Sequence, residues 1–262
     1  MFDPDQHVDR SVIVTGAASG IGRGIALAFA EAGANLVIAD VRREPRQGTH
    51  YVTDVTEPTD TVAREEHDVA VEYVETDVSD PAAVERMIEA AVEAFGGIDV
   101  LVNNAGIYIP GTSQELSLED WERVRSVNLD GAFYTARAAV PHLRRSGGCL
   151  LNVASVHAFQ GGGGPPYASA KAGLVNLTRD LAVELGPDGV TVNAICPGFV
   201  ETAIQDYLSD ADIQAAREQT LVPRFGTPAD VGSLAVFLSS EEASFIHGEA
   251  IAIDGGWSAH RG

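Results

Sequence analysis

Short β-branched runs alternate with longer amphipathic stretches along this chain of 262 residues. The strand-like runs fall at 11–15, 35–40, 69–75, 99–103, 149–154, 190–196 and 249–253. Helical periodicity covers 20–32, 81–95, 118–145, 167–185 and 228–239. Strands separated by helix-length segments are the signature of parallel pairing through crossover helices. The pattern predicts an α/β fold, a Rossmann-type doubly wound sheet of about seven parallel strands with helices on both faces. No Pro/Ser-rich linker divides the sequence, so residues 1–262 read as a single domain.

Two stretches break the rhythm. Residues 41–69 carry arginines, acids and two prolines without a clear helical period, and read as an irregular surface excursion. Within and just after them, Tyr51-Val-Thr-Asp54-Val55-Thr-Glu-Pro58 nearly repeats as Tyr73-Val-Glu-Thr-Asp77-Val78-Ser-Asp-Pro81. A local duplication explains this, or the helix-capping habit of Thr-Asp-Val-Thr/Ser does. The second stretch is 199–226, a long connection with a helix-like segment at 210–219. Long ordered connections are often lids over a site, and a substrate-binding lid is expected here.

Charge narrows the partners. Asp plus Glu number 38 against 17 Lys plus Arg, a net charge of -21. Such a field repels nucleic acid and anionic membranes, so neither is an expected partner. It suits a surface that stays hydrated in high salt, where screening removes self-repulsion. A halophilic origin is the leading explanation, beside an arginine-biased mesophile. Cys149 and Cys196 lie in apolar strand-like runs and read as buried free thiols. The seven histidines show no metal-ligand spacing, so no metal site is expected. No apolar run approaches the length of a membrane span, and residues 1–7 lack the features of a signal peptide. A cytoplasmic protein is the expectation.

Sixteen of the 17 basic residues are arginine, and the single lysine is Lys171, four positions after Tyr167. A compact ammonium with rotatable donors does what a planar guanidinium cannot. Helical i,i+4 spacing puts Tyr167 and Lys171 on one face. After the first strand run comes Thr15-Gly16-Ala-Ala-Ser19-Gly20-Ile21-Gly22. Glycines there allow a tight turn and a close backbone approach to a pyrophosphate at a helix N-terminus. Asp40 ends the second run, where an acid can accept hydrogen bonds from ribose hydroxyls.

Together with Asn103-Asn104-Ala105-Gly106, Asn128, Ser155, Pro197-Gly198 and Asp254-Gly255-Gly256, these motifs stand in a family's order. From about Ser11 to Trp257 the chain resembles the single-domain short-chain dehydrogenases/reductases, both glucose 1-dehydrogenase-like and 3-oxoacyl-carrier-protein-reductase-like members. The resemblance implies an NAD(P)-dependent oxidoreductase acting on a carbonyl/alcohol pair, commonly as a homotetramer. It implies that Tyr167 is the general acid/base and that Ser155 hydrogen-bonds the substrate oxygen. Lys171 would bind the nicotinamide ribose and lower the tyrosine's pKa, and Asn128 would hold a proton-relaying water. Cofactor contact is implied for Gly16, Ser19, Gly20, Ile21 and Gly22, for Asp40 and Val41, and for Asp77 and Val78 at the adenine. The same holds for Asn104, Ala105 and Gly106, for Tyr167 and Lys171, and for Pro197, Gly198, Val200 and Thr202. The sequence departs from the family once. Tyr167 follows Ser155 by twelve positions, about one fewer than usual, and the run Gly161-Gly-Gly-Gly164 can absorb the change.

A phenol titrates near pH 10, so bringing it to about 7 needs roughly 4 kcal/mol. An ammonium at about 4 Å supplies roughly that at an effective dielectric near 20, but only about 1 kcal/mol in water. Lysine tuning is therefore expected only in a partly desolvated cleft. NAD is the expected cofactor, because an NADP 2′-phosphate would face Asp40. NADP is the alternative, served by Arg42 or Arg43. Substrate walls are expected from 155–164, the segment after Gly106 and the lid around 204–221. They mix Tyr108, Phe159, Tyr207 and Leu208 with His157, Gln160, Glu201 and Gln205. Mixed polarity suits a sugar or polyol, with a 3-oxoacyl thioester as the alternative. A catalytically silent dinucleotide-binding regulator is a second reading, disfavoured because Asn128, Ser155, Tyr167 and Lys171 are all present.

Overall fold

A computed structural model describes residues 7–259; the rest of the N-terminal stretch read for a signal peptide, residues 1–6, lies outside the described residues. The strands are β1 (Ser11–Thr15), β2 (Asn35–Asp40), β3 (Val71–Glu75), β4 (Val100–Asn103), β5 (Cys149–Val153), β6 (Thr191–Pro197) and β7 (Ala250–Ile253). They form one sheet in the order β3-β2-β1-β4-β5-β6-β7, with every pair parallel. The order reverses between β1 and β4, and such a switch point opens a crevice beyond the strands' carboxyl ends.

Alternate residues of each strand feed two cores. Val12, Val14, Leu36 and Ile38 pack with Ile25 and Phe29 of α1 (Gly20–Glu31) and Val231 and Ala235 of α8 (Pro228–Leu238). Ile13, Val37 and Leu101 face the other way. They meet Val84 and Met87 of α3 (Pro81–Phe95), Leu143 of α5 (Gly131–Ser146) and Leu181 of α6 (Pro165–Leu185). Burial on both faces explains why the strands read as continuous apolar runs.

The structure departs from the sequence pattern in two places. Residues 41–69 are not irregular throughout, since α2 spans Thr59–His67. Its period was hidden because two of its four buried residues, Thr59 and Asp60, are polar. The Asp60 carboxylate is buried and takes Arg43 and Arg64 at 2.7 Å each. The single helix expected at 118–145 is interrupted. A π-helical turn, Ser126–Asp130, separates α4 (Leu118–Arg125) from α5. Elsewhere the element ends agree within two residues, the ordinary uncertainty of helix and strand termini.

The 199–226 connection, expected to be a lid, holds a 3-10 turn, Ala203–Tyr207, and α7 (Asp210–Glu218), and Val200 bridges Gly226 at its base. Residues 46–51 link it to the glycine-rich turn. The Arg46 N–H donates to Ser19 Oγ, and Thr49 donates through N and Oγ1 to Asp206 Oδ1 at 3.0 Å each. Arg217 donates to the Tyr51 hydroxyl at 3.3 Å. Cys149 and Cys196 are buried free thiols. Among the described residues no helix is long and apolar enough to cross a membrane.

Candidate active site

The turn after β1 is built for close backbone approach. Gly16 and Gly20 have φ of +64° and +55°, a region where other residues are strained. A Cβ on Gly22 would lie 2.1 Å from the Gly16 carbonyl oxygen. The turn after β4 is fastened to this one. Thr15 Oγ1 accepts from the N–H groups of Asn104 and Ala105 at 3.0 and 3.1 Å, and Asn104 Nδ2 donates to the carbonyls of Thr15 and Gly16. Helix α1 starts with no side-chain cap and no acid in its first turn. Its leading N–H groups and the positive end of its dipole are thus left for an anion. A Gly20 Cβ would sit 3.3 Å from Thr202 Cγ2, which places the start of the lid over the turn, while Ile21 packs on the core below. This cradle fits a dinucleotide pyrophosphate.

Around it lie the other residues expected at the cofactor. Asp40, at the end of β2, accepts from Ala18 N at 3.0 Å and Arg42 N at 3.4 Å, and burial raises its pKa. Val41 beside it is exposed. Arg43 is not directed at Asp40, because Nε and Nη2 both bind Asp60. Asp77 is exposed and accepts from Ser79 N and Oγ, while Val78 is buried against Gly131. Pro197 ends β6, and a Cβ on Gly198 would lie 2.7 Å from Asp254 Cβ, so the Asp254-Gly255-Gly256 turn packs there. Val200 is in the core beneath the lid.

The four residues expected to be catalytic converge. Ser155 follows β5, and its Oγ accepts from His157 N at 3.2 Å, while its hydroxyl is near enough to Tyr167 to oppose the rise of that phenol's pKa. Tyr167 and Lys171 lie one turn apart on α6, with Nζ 5.7 Å from the tyrosine ring centroid. Lys171 is buried and donates to the Val153 carbonyl at 2.8 Å. Asn128, in the π-helical turn, donates through Nδ2 to the carbonyls of Ile107 and Val124 at 2.9 Å each. Its Oδ1 is buried without a hydrogen-bond partner. A Cβ on Gly106 would lie 2.7 Å from that Oδ1 and 3.5 Å from Lys171 Nζ, so the glycine lets both close in. Between Ser155 and Tyr167, Gly162 and Gly164 take φ of +104° and +74°, conformations that favour glycine.

Electrostatics here differ from expectation in one respect. The Tyr167 phenol is pushed up to about 12, first by burial, with the Ser155 hydroxyl opposing. Burial brings Lys171 down to about 8. The expected lowering of the tyrosine by the lysine is absent among the protein's own groups. Desolvation penalises both charged forms, and the ammonium is held on the Val153 carbonyl.

Tyr108, Ser155, Val156, His157, Gly163, Tyr167, Gly198, Phe199, Ile204, Gln205 and Tyr207 line the adjoining cleft. Of the expected walls, Tyr108, His157, Gln205 and Tyr207 line it, whereas Phe159, Gln160, Glu201 and Leu208 do not. Val156 and Ile204 fall within the expected wall segments 155–164 and 204–221, whereas Phe199 lies outside them. Phe199 carried a usable signal, as the apolar residue directly after Pro197-Gly198. The Tyr108 ring meets Tyr167 edge-on at 5.4 Å and Tyr207 of the lid at 4.6 Å.

A profile of the family described as Enoyl-(acyl carrier protein) reductase matches residues 16–258. The chain is similar to the meso-2,3-butanediol dehydrogenase of Serratia marcescens, 36% identical over 255 residues covering 97% of this chain and 96% of that protein. It is also similar to a 3-oxoacyl-acyl-carrier-protein reductase of Thermotoga maritima, 35% identical over 248 residues covering 93% and 96%. Among solved structures, one from Agrobacterium tumefaciens is described as a 2-deoxy-D-gluconate 3-dehydrogenase with bound NADP. It matches with a TM-score of 0.85 at 35% identity, covering 99% of this chain and 100% of that one.

Proposed function

The chain belongs to the short-chain dehydrogenase/reductase family, and from that premise we propose that it is an NAD-linked dehydrogenase of secondary alcohols, sugars or polyols first among them. The observation that carries this reading is Ser155 and Tyr167 meeting in one cleft with Lys171 one turn on, beside a phosphate cradle at the switch point of the sheet. Nicotinamide, when bound, supplies the two-electron acceptor or donor. The chain supplies the rest. Ser155 Oγ and the Tyr167 hydroxyl hold the substrate oxygen, and Tyr167 moves its proton. Neutral Tyr167 is a ready donor for carbonyl reduction; alcohol oxidation needs its pKa brought down from about 12. Added positive charge at the bound cofactor acts in that direction. Lys171 holds the ribose, and the unpartnered Asn128 Oδ1 holds a water that carries the proton onward.

Asp40 supports NAD. Its carboxylate is fixed by Ala18 N, and Arg43 is engaged by a buried acid, which leaves Arg42 to meet a 2′-phosphate. The Agrobacterium relative with bound NADP argues for testing both cofactors. The 3-oxoacyl thioester alternative is supported by the Thermotoga relative. A homotetrameric, single-domain, cytoplasmic enzyme is part of the reading, with α5 and α6 at the subunit contacts. Initial rates on a panel of alcohols, sugars and 3-oxoacyl thioesters with each cofactor test it. Turnover with NAD at least tenfold above NADP is expected. Preference for NADP overturns the role given to Asp40, and tight NAD binding without any turnover overturns the enzyme reading.

A further inference from the structure

We propose that Gln205 is a specificity-determining residue that accepts a hydrogen bond from a second hydroxyl beside the reacting carbon, so that the cleft selects short, uncharged vicinal diols and hydroxyketones. The inference rests on the dehydrogenase reading above and names the substrate class for the same cleft.

Gln205 sits in the lid's 3-10 turn and lines the cleft, yet its side chain is only 8% exposed. Its amide has a defined orientation, because Nε2 donates to the Val200 carbonyl at 3.5 Å. Oε1 therefore points away from that carbonyl, and it is buried without a hydrogen-bond partner among the described residues. A buried acceptor left unpaired is costly. Ser155 Oγ, by contrast, already accepts from His157 N at 3.2 Å.

An orphan acceptor calls for a donor. A neighbouring hydroxyl supplies one, whereas a carboxylate or phosphate offers only acceptors. No Lys, Arg, Asp or Glu lines the cleft, and a chain of net charge -21 repels anions at long range. The cavity measures about 60 Å³, far below the roughly 300–1,000 Å³ of sites for drug-sized ligands, so the skeleton is short. Tyr108, Phe199, Ile204 and Tyr207 offer it apolar faces. In oxidation the carbinol's proton would pass to Tyr167 as its phenolate and its hydride to a bound nicotinamide, while the second hydroxyl would stay unchanged on Gln205.

The test compares kcat/KM for meso-2,3-butanediol and for 2-butanol, which differ by one hydroxyl, in wild type, Gln205→Met and Gln205→Glu, with 3-hydroxybutyrate as the anionic arm. Wild type is expected to favour the diol over 2-butanol by about tenfold or more, the effect of one hydrogen bond to a buried group. 3-Hydroxybutyrate should be the poorest of the three. Gln205→Met should bring the ratio close to one through the diol alone, while Gln205→Glu, which restores an acceptor, keeps the preference. A parallel fall for both alcohols, an unchanged ratio in Gln205→Met, or a wild-type preference for 3-hydroxybutyrate overturns the role of Gln205 and leaves the dehydrogenase reading standing. The dehydrogenase reading itself fails only if the whole alcohol panel is silent.

Discussion

The chain retains one lysine, and it stands where an ammonium is least stable. Lys171 is 4% exposed, and its pKa falls from 10.5 to about 8 through burial. Because the folded state holds this proton less tightly than the unfolded state, stability contributed at this site rises with pH between those two values. The penalty is full below pH 8 and gone above about 10.5. A shift of this size corresponds to on the order of 3 kcal/mol. Losing the hydrogen bond to the Val153 carbonyl offsets about 1 kcal/mol of any gain. Lys171→Met is therefore expected to be inactive yet more stable than wild type by about 2 kcal/mol at pH 7, and less stable by about 1 kcal/mol above about pH 10.5, where only the lost hydrogen bond remains. Urea unfolding at several pH values checks this, and a variant less stable at pH 7 would refute the account. That one residue should weaken the fold and serve the chemistry fits its place beside Tyr167. The pair was legible in the sequence because four positions on a helix fix its geometry. Gln205 was legible only as a polar residue in a lid stretch, since an unpaired oxygen depends on how the turn around it folds.

At the scale of elements, the strands were plain in the sequence because burial on both faces makes each a continuous apolar run. Helix α2 was not, because its inner face carries Thr59 and Asp60, and their partners Arg43, Arg64 and the Ala17 carbonyl are fixed by tertiary structure. The π-helical turn was equally hidden, as one extra residue per turn leaves no mark on hydrophobic spacing over five residues. Most consequential is the tie between residues 46–51 and the lid. It joins the phosphate cradle, through Arg46 and Ser19, to the lid, through Thr49 and Asp206. Residues 46–51 thus strap the glycine-rich turn to the 199–226 connection. Asp206→Ala removes two hydrogen bonds between exposed groups, worth about 0.5–1.5 kcal/mol each. The expected result is release of reduced cofactor several-fold faster, with kcat raised or unchanged, because lid opening often limits turnover in such enzymes. Stopped-flow fluorescence of NADH release measures it. An unchanged release rate would mean that the strap is only structural.

Across the whole molecule two electrostatic effects oppose each other, and their sizes decide the response to salt. Arginines pair with acids at the surface, as in Arg125–Asp130, Arg144–Glu184, Arg144–Asp188 and Arg224–Asp230. Exposed pairs of this kind contribute about 0.2–1 kcal/mol each and weaken as salt is added. Against them stands a net charge of -21, whose mutual repulsion is spread over the entire surface and is relieved by the same salt. Repulsion is the larger sum, so the melting temperature should rise from 0.1 to 1 M salt, as the Debye length shrinks from about 10 to about 3 Å. The same argument applies more strongly to the proposed homotetramer. Leu129, Phe133, Tyr134 and Leu177 border one depression on the α5–α6 side, with Phe133 45% exposed, a face suited to cover by a second copy. Bringing together two chains that each carry a net charge of -21 is opposed at low ionic strength, while apolar contact is unaffected or strengthened by salt. Association should therefore be salt-promoted, with smaller species below about 0.05 M and tetramers near 1 M, where the Debye length is about 3 Å. Light scattering after size exclusion across that range gives the answer, and a tetramer that dissociates on adding salt would show that ion pairs, not apolar contact, hold the subunits.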